Sequence, residues 1–395
     1  MSIEQIKKLA KDAYVTVVAN RRHIHAHPEL SFCEYATSAF IREQLDHLNI
    51  SYQVMADTGV VAMITGGLSS SKVIALRADM DALPILESTN TPYQSTSPGI
   101  MHACGHDVHT ASLLGTASIL QSMRQYFGGT VKLIFQPAEE ILPGGASLMI
   151  KEGALRDPVP DVVIGQHVMP SIPSGKIGFR PGMFMASMDE ISMVVSGRGG
   201  HGAMPHQNLD PVVIACHIVL GLQQVVSRYN NPIYPTVLTI GRFLAEGAIN
   251  VTPDKVHLQG TFRTMNEDAR NAAHAQMKKM AEGIADAIGA QCEVSIARGY
   301  PCLFNKESTT ETIRGFAEAY LGSENVLTSE AMTVAEDFAY YSQVSDACFY
   351  LLGTGGPNKE WNFPLHSPRF DIDEDALQTS TGLMAYIALQ LLSGV

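Results

Sequence analysis

Five side chains with metal-binding or nucleophilic chemistry crowd the segment MHACGHDVHT. They are His102, Cys104, His106, Asp107 and His109, placed directly after the breaker Pro98-Gly99. Cys104 and His106 stand two apart, so in an extended or turn conformation both project the same way and can share one ion. The same thiol with a histidine as base is also a candidate nucleophile. Either residue taken alone reads as a buried thiol or a capping histidine. Later segments add to the set. LIFQPAEE ends a predicted strand with Glu139 and Glu140, and the carboxyl ends of strands are where an open α/β sheet keeps its site. Adjacent glutamates point in different directions, so one can bind metal while its neighbour handles protons. A surface charge pair would look the same. DVVIGQHVMP repeats the layout, an apolar strand followed by His167, and FPLHSPRFD sets His366 in a loop between two prolines. A lone loop histidine is usually just solvated. Together Cys104, His106, Glu140, His167 and His366 supply ligands for roughly two divalent ions, of types that suit zinc, manganese or nickel.

These residues need a scaffold, and the chain is long enough to build one. It has 395 residues, 46% hydrophobic and 17% charged, which fill the core of two domains comfortably. Strand-like apolar runs at 60–64, 73–76, 131–135, 162–164 and 348–352 alternate with helical patterns near 4–20, 34–48 and 109–124. That alternation predicts an α/β domain with a mainly parallel sheet covered on both faces. The middle of the chain differs. A strand near 190–196 leads to a helix opened by Asp210 as N-cap and Pro211 at its first position. Strands near 236–244 and 255–263 follow, then a helix capped by Asn266 and a last strand near 292–297. This β-α-β-β-α-β order is the ferredoxin-like, split βαβ arrangement of an α+β domain. The expected organisation is a discontinuous catalytic domain, 1–185 and 298–395, interrupted by an inserted domain at 186–297. Repeats and low-complexity tracts are absent from the sequence, and 66–71 reads as a short flexible turn.

Composition narrows the partners. With 39 acids against 27 bases the formal charge is −12, the wrong sign for nucleic acid or an anionic membrane surface. The start, MSIEQIKKLAKDAY, has no apolar h-region, and the apolar stretch 212–226 is broken by His217, Gln223 and Gln224. Neither export nor membrane insertion is expected. Six scattered cysteines lack the density of a disulfide framework, so thiols in a reducing cytoplasm are expected.

The motifs LRADMDALP, MHACGHDVH, QPAEE, GQHVMP, GRGGHGAMPH, NVTPD, GTFRT, AEDFAYY and FPLHSPRFD, in this order and spacing, resemble the N-acyl-amino-acid amidohydrolases. These include hippurate hydrolases, auxin-conjugate hydrolases and aminoacylase-like enzymes, within the larger aminoacylase and carboxypeptidase metallopeptidase family. The resemblance covers nearly the whole chain. It implies two divalent metal ions per subunit, held by Cys104, His106, Glu140, His167 and His366, with Glu139 as general base. The wider family opens its site with His-x-Asp where this chain has Arg77-Ala78-Asp79, so Asp79 is expected to act behind a ligand, orienting it. Metal coordination lowers the pKa of water from about 15.7 to roughly 7, which lets a carboxylate such as Glu139 take its proton at neutral pH.

The resemblance also assigns parts to the inserted domain. His201 is implied to stabilise an oxyanion in the neighbouring subunit of a homodimer. Asn250 and Arg263 are implied to grip the carboxylate of the amino-acid part of the substrate, a task suited to a guanidinium fork. GRGGHG formally satisfies a dinucleotide fingerprint. Pro205 interrupts its approach to the helix, however, and no ribose-binding acid follows a second βαβ strand, so that reading is rejected. His102, His109 and His206 are expected to be structural, with pocket lining as the alternative for His102, and Asp107 is expected to cap a helix or support a ligand. Glu336, Asp337 and Tyr340 resemble a family segment near the site, without an assigned role. Loops at 183–188 and 353–363 are candidates for shaping the substrate pocket. The expected substrate is a small N-acyl amino acid. A dipeptide or other short peptide, cleaved by a metallo-dipeptidase or carboxypeptidase, is the alternative. A cysteine-nucleophile hydrolase and a catalytically silent metal-binding protein are the rivals from other classes.

Overall fold

The computed structural model of the chain describes residues 2–356 and 362–393. They divide into two compact units. The first comprises Met1–Gly182, Phe304–Glu330 and Asp337–Val395, and the second Met183–Leu303 with Ala331–Glu336.

The first unit is built on an eight-stranded sheet. Its four middle strands, in spatial order Gly128–Gln136, Leu68–Asp79, Val162–Pro173 and Ala347–Gly355, are all parallel to their neighbours. Antiparallel pairings join further strands at each side, Gly59–Thr65 on one and Ile177–Phe179 on the other. Along each middle strand alternate residues serve opposite faces. Ile74, Leu76, Ala78, Val131, Leu133, Phe135, Ile164 and Tyr350 join one core with the helices Ile3–Ala26, Tyr35–His47, His106–Ser122, Glu307–Leu321 and Asp375–Ser393. On the opposite face lie Arg77, Asp79 and Phe349, and the short helices Gly145–Glu152 and Ala339–Val344 pack on this sheet. Two covered faces explain why the strands read as near-continuous apolar runs.

Helix His106–Ser122 begins three residues earlier than its apolar periodicity suggests and is buried along almost its whole length. A helix buried all round has no polar stripe to mark its start. Gly105 precedes it with φ +80, and a Cβ there would lie 2.4 Å from Val168 Cγ2. Only glycine combines that left-handed backbone with so close an approach. Asp107 therefore sits in the first turn rather than at the cap. The stretch 66–71 is also not all turn, because the long strand already starts at Leu68.

The second unit carries a four-stranded antiparallel sheet in the order Thr236–Leu244, Lys255–Thr264, Asp189–Ser196, Gln291–Arg298. Helices Pro211–Gln224 and Glu267–Ala287 share one apolar core with it, through Ile214, Ile218, Leu222, Met277 and Ala281 against Ile191, Met193, Val195, Val256 and Leu258. The Asp210 carboxylate accepts the Val212 N–H at 2.9 Å and the Asn266 side chain accepts the Ala269 N–H at 2.8 Å, so both helices have genuine N-caps. Asp189 is buried and binds Arg270 on the second helix, His274 and the Gly299 N–H. The segment Ala331–Glu336 belongs to this unit because the Met332 N–H donates to the Phe184 carbonyl and the Ala186 N–H to the Met332 carbonyl. Backbone pairing of that kind leaves no trace in apolar periodicity.

Candidate metal centre

The site of the first unit forms where its parallel strands end. Leu68–Asp79 runs into Asp79 and Asp81, Gly128–Gln136 into Glu139 and Glu140, and Val162–Pro173 carries His167. The turn before helix His106–Ser122 adds Cys104 and His106, and the loop after strand Ala347–Gly355 adds His366. Ligand atoms of Cys104, His106 and His167 lie within 4.8 Å of one another, as do those of Cys104, Glu140 and His366, and those of His106, Glu139 and Glu140. All five expected ligands and the expected base thus fall in one overlapping cluster.

The hydrogen bonds show which atoms are committed and which are free for a cation. His167 donates through Nδ1 to the Val168 carbonyl at 2.8 Å, leaving the Nε2 lone pair 3.4 Å from Cys104 Sγ. His106 Nδ1 meets Asp81 Oδ1 at 3.1 Å, while its Nε2 is buried without a hydrogen-bond partner. Glu140 Oε1 is likewise buried and unbonded, 3.4 Å from His366 Nε2. Buried polar atoms are costly unless paired. A thiolate, imidazoles and carboxylates with orphaned acceptors turned towards each other are what borderline divalent ions require, so the residues fit two such ions.

Ligand atoms of Asp79, His106 and His109 also lie within 4.8 Å of one another, but His109 is committed to hydrogen bonds. Its Nδ1 donates to Asp79 Oδ1 at 2.5 Å and its Nε2 accepts the Val168 N–H at 2.9 Å, so both nitrogens are used. His102 is buried with neither ring nitrogen bonded. Asp107 Oδ2 is committed elsewhere, accepting from Arg21 Nε at 2.8 Å and meeting His25 Nδ1 at 2.8 Å.

The electrostatics follow from burial among acids. Burial pushes the Cys104 thiol well above its ordinary range, and Glu140, Glu139 and Asp79 push it further. That environment opposes a free thiolate nucleophile. Burial lowers the adjacent His167 to about 4, so it is a poor base for such a thiol. Burial also opposes protonation of His106, yet the Asp79 and Asp81 carboxylates raise it to about 10. Asp79 is held well below the usual carboxylate range: burial works against it, but Arg77, His106 and His109 outweigh that.

Several positioning residues were not legible from motif reading alone. Asp81 Oδ1 orients His106, and its Oδ2 accepts the Ser31 hydroxyl at 2.6 Å and the Glu140 N–H at 3.0 Å. Glu34 accepts the Ala138 N–H at 2.8 Å, holding Ala138 at φ +49 just before the base. The signal for Asp81 was its spacing, since 77, 79 and 81 share one face of a strand and its extension.

The remaining expected site residues belong to the second unit. Gly200–His201 pairs with Val251–Thr252 as a two-stranded ribbon, and the Gly202 N–H donates to the Asn250 carbonyl at 2.8 Å, so His201 and Asn250 are neighbours. The Ala203 N–H reaches His201 Nδ1 at 3.1 Å, which places the ring proton on Nε2. His201 is exposed, as is His206. Arg263 lies on strand Lys255–Thr264 and donates to the Thr333 carbonyl at 3.1 Å. The glycines of GRGGHG lead into the ribbon, and the helix starts only at Pro211, unlike a phosphate-binding turn. Of the candidate pocket loop 353–363, residues 357–361 lie outside the described residues.

The chain is similar to known proteins over most of its length. An N-acetylcysteine deacetylase of Bacillus subtilis (strain 168) is 40% identical over 98% of this chain and 100% of its own. An N-acyl-L-amino acid amidohydrolase of Geobacillus stearothermophilus is 44% identical over 77% of this chain and 82% of its own. The crystal structure of a dinuclear metal-binding M20-family peptidase from Bacillus subtilis superposes with a TM-score of 0.84 at 37% identity, over 98% of this chain and 100% of that one. Residues 75–390 match the model of Peptidase family M20/M25/M40, and the chain belongs to that family.

Proposed function

We propose that this protein is a metal-dependent amidohydrolase that cleaves N-acyl-L-amino acids, of acetyl or benzoyl type, to a carboxylic acid and a free amino acid. The observation that carries the reading is the overlap of two donor clusters, Cys104–His106–His167 and Cys104–Glu140–His366, with Glu139 beside His106 and Glu140. Cys104, His106, Glu140, His167 and His366 would hold two divalent ions, zinc, manganese or nickel. When bound, such ions acidify water and polarise an amide carbonyl.

The chain's own groups do the rest. Glu139 is almost fully buried, and its Oε1 accepts the Asp337 N–H at 3.3 Å. In this reading its carboxylate takes the proton of the attacking water and passes it to the departing amine nitrogen. Asp81 and the Val168 carbonyl hold the outward nitrogens of His106 and His167, fixing tautomer and ring orientation. His201, with its proton on Nε2, offers a donor for the oxyanion, and Asn250 and Arg263 serve the substrate carboxylate.

The reading includes a homodimer through the second unit, with His201 supplied in trans. Helix 211–229 is long and apolar enough by composition to cross a membrane, yet one side of it is packed into the unit's core. Its other side exposes Val213 and Leu220, and the edge strand Thr236–Leu244 exposes Val237 and Phe243. An exposed apolar helix side and an open strand edge each suit a second copy of the chain. All six cysteines are free thiols, which supports a cytoplasmic setting.

The peptidase relative keeps dipeptide cleavage as the alternative. Hippurate, N-acetyl amino acids and dipeptides assayed side by side, with metal removed by chelation and then restored, decide between them. Activity that survives chelation and is lost on alkylation would overturn the metal reading.

A further inference from the structure

We propose that Arg77 is the positioning residue that ties the ligand side of the centre to its general base, an inference that rests on the hydrolase reading above. Arg77 is fully buried. One arm of its guanidinium, Nη1, donates to Asp79 Oδ2 at 2.8 Å, and the other, Nη2, to Asp337 Oδ1 at 2.8 Å. Nε donates to Gln136 Oε1 at 2.9 Å, and the guanidinium carbon lies 5.9 Å from the centre of the Phe338 ring.

Each arm ends on a functional element. On one side, Asp79 Oδ1 binds His109, which holds the Val168 N–H beside His167, and Asp79 Oδ2 lies 3.6 Å from His106 Nε2. On the other side, Asp337 is clamped by Gln136 Nε2 and by the Ala146 N–H at 3.0 Å, and its own N–H reaches Glu139. The flat, rigid fork therefore sets the separation of Asp79 and Asp337, and through them the placement of the His167 strand relative to the Glu139 carboxylate. A lysine, as a point charge on a flexible stem, can reach one carboxylate but cannot space two. Stability alone is a weak reason for such a group, because a buried ion pair is often no better than apolar packing.

The test compares Arg77→Lys, Asp337→Asn and the double variant with the wild-type protein. The measurements are kcat and KM on an N-acetyl amino acid, Zn²⁺ affinity by chelator competition, and the absorption spectrum of the Co²⁺-substituted protein. Arg77→Lys is expected to lower both kcat and Zn²⁺ affinity by about 10–100-fold and to alter the Co²⁺ spectrum. Asp337→Asn should lower kcat by a similar factor at unchanged KM while leaving affinity and spectrum as in wild type. The double variant should lose no more kcat than the worse single, since both act along one chain of contacts. Wild-type kcat and affinity in Arg77→Lys, or losses that multiply in the double variant, overturn the proposal. Should Arg77→Lys not fold, Asp337→Asn decides, and a change in its Zn²⁺ affinity as large as its change in kcat counts against the two-arm geometry. A wild-type protein that binds Zn²⁺ but hydrolyses none of the substrates defeats the hydrolase reading instead, with the affinity comparison still telling whether Arg77 holds the ligands.

Discussion

Replacing His109 with phenylalanine keeps a buried ring and removes two hydrogen bonds. The bond from Nδ1 to the Asp79 carboxylate, at 2.5 Å, is of the charge-assisted kind worth about 1.5–3 kcal/mol, and the Val168 N–H, left buried without an acceptor, adds about 1–3 kcal/mol. Their sum is roughly 2.5–6 kcal/mol. At about 2–4 °C per kcal/mol for a unit of this size, the melting temperature should fall by roughly 5–24 °C. The loss should also reach the metal, because His109 holds the N–H of Val168, the residue whose carbonyl accepts His167 Nδ1. Freeing Val168 loosens the support of that imidazole, and changes of this class weaken metal affinity by about 10–100-fold. Chemical denaturation and chelator competition measure the two effects separately. His109→Asn, which retains a donor towards Asp79, should recover part of the stability but not the affinity. A phenylalanine variant within about 1 kcal/mol of wild type that also binds metal normally would refute the clamp, since no unsatisfied N–H in a dry interior is that cheap.

Glu139→Gln should keep its metal content and lose about 10²–10⁴-fold in kcat, as measured by steady-state hydrolysis beside metal analysis. Asp189 gives a pH prediction in the second unit. Burial opposes its ionisation, but Arg270 and His274 lower it to about 2. Its stabilising contribution is therefore complete above the unfolded value near 3.9 and fades as pH falls towards 2, by about 2.5 kcal/mol in all. Urea melts at pH 6 and pH 3 should show that Asp189→Asn flattens this dependence, and an unchanged slope would count against it. Leu220→Asp, on the exposed face of its helix, should shift the protein to monomer in sedimentation. Activity should fall with it if His201 serves the neighbouring subunit.

Much of the fold was legible because its elements obey simple periodicities. Asp210–Pro211 and Asn266 announce their helices through capping chemistry, and the middle strands announce themselves as apolar runs. What periodicity could not show was tertiary. The start of helix His106–Ser122 was hidden because every face of it is buried, and the tie between Met332 and Phe184 is made by backbone groups that carry no sequence signal. In the site, ligand types and motif order pointed to the cluster, whereas its supports did not stand out. Arg77, Asp81 and Asp337 lie in motifs that carry the resemblance, but their supporting roles emerge only when the fold brings each against a distant partner, and Glu34 lies outside every motif. A carboxylate that holds a backbone N–H, as Glu34 does for Ala138, looks in sequence like any surface acid.

The supports share a logic that bears on how such a centre tolerates change. Each functional segment is gripped by a group from another part of the chain: the Glu140 backbone by the Asp81 carboxylate, the residue before Glu139 by the Glu34 carboxylate, the Glu139 carboxylate by the Asp337 backbone N–H, and the His167 strand by the His109 ring. Two of the gripped positions, Ala138 at φ +49 and His366 at φ +62, hold backbone conformations that non-glycine residues rarely adopt. Such conformations persist only where surrounding contacts over-determine them. His366 is held in this way by its N–H to the Ala103 carbonyl at 2.8 Å, which links the last ligand in sequence to the turn that supplies Cys104. Loss of one grip should therefore loosen a single ligand or the base, while loss of Arg77 or Asp79, where two grips meet, should disturb both.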